Sequence, residues 1–209
     1  MACYSTAMSK KDFDVMETQV LVPIKKNGNT CTYQLNNSLQ ELCNPQNKDQ
    51  SIPQIEVVSQ GKTYFLRLGD KVINTQNCYT TEPAIFNGNI GIIKELDSNE
   101  RTMVVSFWGI GDVFISGKQI NAIELGYAIT VHKAQGSQFN HVILGIDFSA
   151  YSLLSRELLY TGITRAKKKC DLIAQTNALR MAVGKEGVSK KQTHLQELLY
   201  EVAHPKLIF

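Results

Sequence analysis

The pattern of apolar and polar positions divides the chain into long periodic segments at both ends and short β-rich runs in the middle. In the long segments, unbroken apolar runs of strand length alternate with runs whose apolar residues recur at helical spacing. These predict a strand over 15–24, a helix over 30–43, a strand over 141–147, a helix over 152–168, a strand over 170–174 and a helix over 177–183. Strand, helix and strand in succession predict a parallel sheet with flanking helices, an α/β fold.

The middle of the chain changes character at about Gly69. Four short β-rich runs, separated by turns rich in glycine and asparagine, cover 71–75, 89–94, 102–108 and 112–115. Short strands so closely spaced predict a small, strongly bent β-barrel inserted into the larger domain. The predicted organisation is a leader over 1–13 expected to be disordered, an α/β domain over 14–66 and 123–185, a barrel over 67–122, and a tail over 186–209 with a short helix.

Phe107 and Trp108 end one of the barrel runs. Exposed aromatic rings in a barrel can stack on nucleic-acid bases. A lone tryptophan in a small barrel is more often part of the core, so we expect Trp108 to be buried.

Composition and charge narrow the function only slightly. The 209 residues are 43% hydrophobic, and the net charge of +3 neither demands nor excludes nucleic acid. A DNA role must therefore come from local clusters such as Lys167, Lys168 and Lys169, which a solvated helix end would explain equally well. Five scattered cysteines lack metal-ligand spacing, so we expect no metal site and a reducing cytoplasm. No apolar run approaches the span of a bilayer, and we expect no membrane partner.

Gly61-Lys62-Thr63 is similar to the end of a phosphate-binding P-loop. A P-loop needs glycine at position 56, which is Glu56 here, and a helix after the threonine, where the sequence has strand character. We therefore expect a hairpin turn at Gly61 and no nucleotide site.

The stretch from Gly126 to Phe139 carries the strongest chemical signal. Its small, hydroxyl, amide and cationic side chains supply more hydrogen-bond donors than acceptors, and Gly136 allows a close backbone approach. A donor-rich run of this kind suits a polyanion. The side chains able to donate to a phosphate oxygen are Thr130, His132, Lys133, Gln135 and Ser137.

A second polar face lies downstream. On a helical wheel, residues 158–168 place leucine, glycine and isoleucine on one arc and Thr161, Thr164, Arg165 and Lys168 on the other. Thr-Val-His-Lys-Ala-Gln-Gly-Ser at 130–137, followed by a strand and then Leu-Leu-Tyr-Thr-Gly-Ile-Thr-Arg-Ala-Lys-Lys at 158–168, resembles motifs V and VI of the RecD-like branch of superfamily-1 DNA helicases. The pair is specific because both long motifs occur in the right order.

Two further segments carry weaker resemblances. Residues 19–40, with a strand ending at Pro23, a basic turn at Lys25 and Lys26, and a Leu-Asn-x-x-Leu-Gln helix, are similar to the motif IV region of that family. A surface turn would explain the two lysines as well. Residues 69–73 and 86–91 are similar to the opening of the Src-homology-type β-barrel that RecD-like helicases insert between motifs IV and V.

The resemblance covers about 14–199 and implies the second, RecA-like motor domain of such a helicase, the UvrD-like C-terminal domain. By this resemblance Arg165 is the catalytic arginine that reaches the γ-phosphate of ATP across the cleft between two motor domains. The resemblance also assigns ATP contacts to Lys25, Gly136 and Gln138, and single-strand contacts to Thr130, His132, Lys133, Gln135 and Ser137. The family commonly has glutamate at the position of Gln138.

The same resemblance implies ATP and Mg²⁺ in the complete helicase and none bound by this chain alone, because the sequence has neither a P-loop nor an Asp-Glu box. The expected partners are single-stranded DNA and a P-loop motor domain, supplied by the same full-length protein or by another chain. The alternative is a non-enzymatic nucleic-acid-binding or assembly module that kept the helicase fold. Two of the site residues also have a simpler alternative. For His132 it is an imidazole hydrogen-bonded to the backbone, and for Arg165 it is an ion pair with Glu157.

Overall fold

The computed structural model describes residues 2–9, 13–25, 30–46, 53–59 and 61–185. Its elements, in chain order, are α1 (Ala2–Met8), β1 (Thr18–Val22), α2 (Thr32–Cys43), β2 (Gln54–Ser59), β3 (Lys62–Arg67), β4 (Lys71–Asn74), β5 (Ile90–Asp97), β6 (Thr102–Phe107), β7 (Gly111–Ser116), β8 (Ile123–Leu125), β9 (Ala128–Thr130), β10 (Phe139–Ile146), α3 (Arg156–Ile163), β11 (Ala166–Ala174) and α4 (Thr176–Gly184). Short 3₁₀ turns cover Gly117–Ala122 and Phe148–Ala150. The tail predicted over 186–209 lies outside the described residues.

A four-stranded parallel sheet in the order β11-β10-β1-β9 forms the centre of the α/β part. The unbroken apolar run of β1 is buried along its whole length. Leu21 and Leu144 contribute to a core with Leu158 and Leu159 of α3 and Ala178 of α4. On the other face, the core includes Val20, Ile143, Tyr4 of α1 and Leu39 of α2. The predicted parallel sheet with flanking helices is confirmed.

The second sheet is antiparallel, in the order β7-β6-β5-β4-β8, and is separate from the parallel one. Its alternating strands bury Ile93, Val105, Val113 and Ile115 in a shared core. This confirms the predicted antiparallel insertion. The pair β2-β3 forms its own two-stranded antiparallel sheet, so Gln54–Ser59 and Lys62–Arg67 do not extend the parallel sheet, although residues up to 66 are predicted to belong to the α/β part.

The leader is helical where the structure describes it, contrary to the expected disorder. Helix α1 buries Tyr4, whose side chain is only 2% exposed, and Ala7. The Tyr4 ring packs edge to face on Phe13, with the ring centroids 5.7 Å apart. Burial of these side chains compensates the entropy cost of ordering a short helix.

Two other expectations are wrong. The helix predicted over 152–168 begins at Arg156 and ends at Ile163, so Arg165 follows it and the lysines at 167–169 lie in the edge strand β11. The Thr164 hydroxyl donates to the carbonyl of Tyr160, which satisfies an acceptor at the helix end. Trp108 is 49% exposed, because it lies just beyond β6 while Phe107 takes the buried position. None of the described helices is long and apolar enough to cross a bilayer.

Two adjacent buried charges join the barrel to the α/β part. Asp70 accepts hydrogen bonds from the side chains of Gln40 (2.5 Å), Asn44 (2.8 Å) and Tyr127 (3.1 Å). Lys71 Nζ donates to main-chain carbonyls of the segment leading into β1, those of Val15, Met16 and Thr18, at 2.8, 3.5 and 3.0 Å. Burial raises the pKa of Asp70 and lowers the pKa of Lys71 to about 7.

Gly126 provides the first testable prediction, because it lies against the backbone of β4. A Cβ at this position would lie 2.8 Å from the carbonyl carbon of Val72 and 2.9 Å from its oxygen. Backbone cannot move aside easily, so Gly126→Ala is expected to lower the free energy of unfolding by about 1–3 kcal/mol in urea titrations. Gly184→Ala is the control, since its Cβ would meet nothing within 4 Å. Equal stability of the two variants would contradict the prediction.

Lys71 provides the second prediction, a pH dependence of stability. Its pKa falls from the usual 10.5 to about 7 in the folded protein, so the unfolded chain binds more protons between these two values. The contribution of Lys71 to the free energy of unfolding must therefore rise with pH from about 7 upward and stay constant below. In urea titrations at pH 6 and pH 9, wild type is expected to gain roughly 2–3 kcal/mol relative to Lys71→Met. Parallel pH profiles would rule this out.

Candidate functional site

The turn after β9 begins the candidate site. The Thr130 hydroxyl accepts a hydrogen bond from the backbone N–H of Lys133 at 3.2 Å, and the Thr130 carbonyl accepts one from Ala134 at 3.1 Å. Ala134 is buried, whereas His132 and Gln135 are exposed. The turn therefore presents its polar side chains outward on an apolar anchor.

Segment 131–138 runs from the side of the parallel sheet where its strands end, the carboxyl edge, to the side where they begin, the amino edge. It leaves the carboxyl end of β9 and enters the amino end of β10, and both strands run parallel to β1 between them. Thr130 and His132 consequently lie towards the carboxyl edge, and Gly136 and Gln138 towards the amino edge. The sequence motif thus reaches two separate places on the domain.

Arg165 lies at the amino edge, between the end of α3 and the start of β11. Its guanidinium donates through Nε to the Thr161 carbonyl at 3.1 Å and through Nη1 to the Ser137 carbonyl at 3.2 Å. The Arg165 carbonyl accepts from the N–H of Phe139 at 2.9 Å. No ion pair joins Arg165 to a carboxylate, Glu157 included, within the part of the chain that the structure describes. The two motifs therefore meet around Arg165.

Gly136 and Gln138 flank the residue that Arg165 contacts. Gly136 has φ of +85°, a conformation that favours glycine, and a Cβ there would meet nothing within 4 Å. Gln138 is exposed. The amino edge thus combines an open backbone turn, an amide and a guanidinium.

Lys25 lies apart from this group. Its Nζ contacts Glu124 Oε1 at 2.9 Å, and Lys133 Nζ lies 3.8 Å from Glu124 Oε2. The hydroxyl of Ser59 donates to the same carboxylate. Burial is the main cause of the lowered pKa of Lys133, opposed by the charge of Glu124. The structure therefore places Lys25 beside Lys133, which the sequence had assigned to a different ligand.

Glu124 is a residue that sequence reasoning missed. It is 4% exposed in the short strand β8, and it lies 99 positions from Lys25 in the chain. A lone glutamate in a three-residue strand carries no motif. Only the fold brings it to the two lysines.

A cavity of about 360 Å³ lies beside the turn, between His132, Gln135 and the start of α3. Ser155 begins that helix by accepting a hydrogen bond from the N–H of Leu158 at 3.3 Å. Lys185 and Glu157 also line the cavity.

In the hairpin between β2 and β3, Gly61 has φ of +74° and Lys62 begins β3, so this segment is a turn between strands.

Solved structures with the same fold are helicases. The chain matches the Pif1 helicase from Bacteroides in complex with ADP-AlF3 and ssDNA with a TM-score of 0.53 and 13% identity, over 98% of this chain and 51% of that one. It matches the Pif1 helicase from Candida albicans with a TM-score of 0.53 and 10% identity, over 96% and 53% of the two chains. The parallel sheet with its helices and antiparallel insertion is therefore a RecA-like helicase domain fold.

Sequence comparison identifies the branch. The UvrD-like helicase C-terminal domain matches residues 125–173, and the SH3 domain of ATP-dependent RecD-like DNA helicases matches residues 35–107. The chain is a C-terminal region of the RecD-like superfamily-1 helicase family. The second match begins within α2, ahead of the predicted barrel boundary at 67, and that boundary stays a prediction.

Curated relatives are much longer than this chain. The ATP-dependent RecD2 DNA helicase of Deinococcus radiodurans is 33% identical over 181 residues, which are 86% of this chain and 23% of that protein. The RecBCD enzyme subunit RecD of Haemophilus influenzae is 30% identical over 135 residues, 65% of this chain and 19% of that protein. The chain thus spans about a quarter or less of these relatives.

Proposed function

We propose that the chain is the second motor half of an ATP-dependent DNA helicase, which supplies an arginine to the nucleotide and part of the track for single-stranded DNA. The observation that carries this proposal is the hydrogen bond from Arg165 to the carbonyl of Ser137, at 3.2 Å. It joins the two helicase-like motifs at one edge of the sheet. The Pif1 structure described above, which contains ADP-AlF3 and ssDNA, supports the ligand classes.

The amino edge is the nucleotide end of this proposal. A guanidinium has five N–H donors in a planar fork. In Arg165, Nε and Nη1 each donate one hydrogen bond to a carbonyl oxygen, and Nη2 donates one to the Thr164 hydroxyl at 3.3 Å. Those contacts orient the fork and leave donors for phosphate oxygens. Gly136 offers an open backbone and Gln138 an amide for the rest of the nucleotide.

The role of Arg165 would be to neutralise charge that develops on the transferred phosphoryl group. ATP and Mg²⁺ belong to the complete motor, because the P-loop that holds the phosphates must come from another segment or another chain. The sequence contains no such loop. The second partner of this chain is therefore a P-loop motor domain.

The carboxyl edge is the DNA end. Thr130, His132, Lys133 and Gln135 lie on or beside one turn, and hydroxyl, imidazole, ammonium and amide groups all donate to phosphate oxygens. Ser137, near the amino edge, would then mark the end of the strand-contacting set.

The described cysteines are all free thiols, which supports a reducing cytoplasm as the compartment.

The isolated chain is expected to hydrolyse no ATP. An arginine on one side of a cleft cannot replace the backbone N–H groups that a P-loop wraps around the phosphates. Phosphate release by the purified 209-residue chain, with and without single-stranded DNA, tests this. DNA-stimulated turnover that disappears in an Arg165→Ala preparation would refute it, whereas turnover that persists would indicate a contaminant.

In a motor completed by a P-loop half, Arg165→Ala is expected to reduce ATP turnover by about 10³ to 10⁵ while single-strand binding changes little. Arg165→Lys should recover only a small part, since an ammonium lacks the planar fork that holds two oxygens. Steady-state ATPase rates and DNA titrations measure both effects. Arg180→Ala is the control, an exposed arginine on α4.

His132→Ala is expected to act on the other ligand in the same assays, weakening DNA binding or DNA stimulation of turnover. If Arg165→Ala kept its turnover and lost DNA affinity, the assignment of the two edges to two ligands would be reversed. If both variants resembled wild type, the non-enzymatic module would be the better description.

A further inference from the structure

We propose that Trp108, Asp14 and Glu17 form a docking site for an arginine side chain carried by an extended segment of a partner protein. The proposal does not depend on the helicase function proposed above, and none of the motif-like segments described above contains these three residues. It gives a role to an exposed tryptophan whose ring the sequence would place either in the core or against nucleic-acid bases.

The three side chains line one open cavity of about 390 Å³. Trp108 lies in the turn between β6 and β7 and is 49% exposed, whereas Asp14 and Glu17 precede β1. Ile92 and Phe107 contribute apolar surface to the same cavity. The cavity therefore forms only where the antiparallel sheet meets the segment that leads into the parallel one.

Backbone groups hold both carboxylates in place. Asp14 Oδ1 accepts a hydrogen bond from the N–H of Met16 at 2.7 Å, and Glu17 Oε2 accepts one from the N–H of Asn140 at 3.2 Å. The other oxygen of each carboxylate has no hydrogen-bond partner among the residues that the structure describes. Each carboxylate therefore keeps an acceptor for an incoming N–H group.

Lys71 holds the same segment without neutralising it fully. Its Nζ donates to the carbonyls of Val15 and Thr18, at 2.8 and 3.0 Å. Burial lowers the pKa of Lys71 to about 7 against the opposing charges of Asp14 and Glu17, so the ammonium carries only part of its charge at neutral pH. The segment is thus fixed while its two carboxylates keep negative charge.

The charge of the cavity suits one cation. Its charged lining groups are the carboxylates of Asp14 and Glu17 and the ammonium of Lys94, a net charge of about −1. Negative charge repels the phosphates of nucleic acid, which argues against base stacking on Trp108. One guanidinium would neutralise the cavity.

A guanidinium also matches the chemistry of the lining better than an ammonium. Its planar face stacks on an indole ring, and its edge presents N–H groups to carboxylate oxygens. The ammonium of lysine has no planar face and is more strongly hydrated. The cavity is open, so the backbone that carries the arginine would lie outside it, as in an extended segment of a partner protein.

The first test uses the fluorescence of Trp108, the only tryptophan of the chain. Titration of the 209-residue chain with an end-blocked Gly-Gly-Arg-Gly-Gly peptide is expected to give a saturable change in emission, with a dissociation constant on the order of 1 mM. The same peptide with citrulline, a neutral isostere of arginine, should give no saturable change, because it lacks the positive charge.

Variants test the three side chains one at a time. Asp14→Asn and Glu17→Gln each keep an oxygen for the backbone hydrogen bond, and each is expected to weaken peptide binding about two- to fivefold. Glu100→Gln is the matched control, an exposed glutamate between β5 and β6 that does not line the cavity. Trp108→Leu, measured by anisotropy of a labelled peptide, removes the aromatic face and should also weaken binding about two- to fivefold.

Thermal unfolding of each variant confirms that it is folded. Equal binding of the arginine and citrulline peptides, or unchanged binding by both carboxylate variants, would overturn the docking site. Stronger quenching of Trp108 by an oligothymidylate than by the arginine peptide would assign the ring to nucleic-acid bases and overturn it as well. None of these results alters the test of Arg165 in a completed motor, so the two proposals fail separately.

Discussion

The arrangement of the two sheets depends on two adjacent buried ionisable side chains, Asp70 and Lys71, at the start of β4. Each finds its partners in a different place. Asp70 accepts from side chains at the end of α2 and before β9, and Lys71 donates to carbonyls before and at the first residue of β1. A buried charge without partners costs several kcal/mol. Both groups find these partners only when the antiparallel sheet, α2 and the start of the parallel sheet are assembled together, so the pair holds the antiparallel sheet against the α/β part.

Much of the fold could be predicted from the sequence because its strands are of two distinct kinds. The unbroken apolar run at Val20–Val22 marks a strand covered on both faces, whereas the glycine-punctuated runs after Gly69 mark an antiparallel sheet. The ends of the helices were harder to predict. The apolar spacing of α3 continues to Ala166, yet the helix ends at Ile163, where the Thr164 hydroxyl binds the preceding carbonyls. Local hydrogen bonding of one side chain is invisible to periodicity.

The site divides in the same way. Contiguous motifs predict Arg165 and the turn around Gly136 as site residues, and the fold brings Arg165 within hydrogen-bond distance of Ser137 in that turn. Lys25 could not be placed, since its partner Glu124 is remote in the chain and lies in β8 of the antiparallel sheet. Trp108 was expected in the core on the general behaviour of tryptophan, but its neighbour Phe107 already fills that place. Contacts between residues so far apart in the chain can be identified only once the fold is known.

The neighbouring strands β4 and β8 bear on how such a protein can diversify. They pair with each other, Val72 opposite Leu125, so the first and last strands of the five-stranded antiparallel sheet are neighbours. An insertion with adjacent ends can be exchanged between related genes without altering the order of the parallel strands. The exchange has a fixed condition in this protein: a donated barrel must bring an aspartate and a lysine of its own at its first strand, or the recipient loses the contacts that seat it.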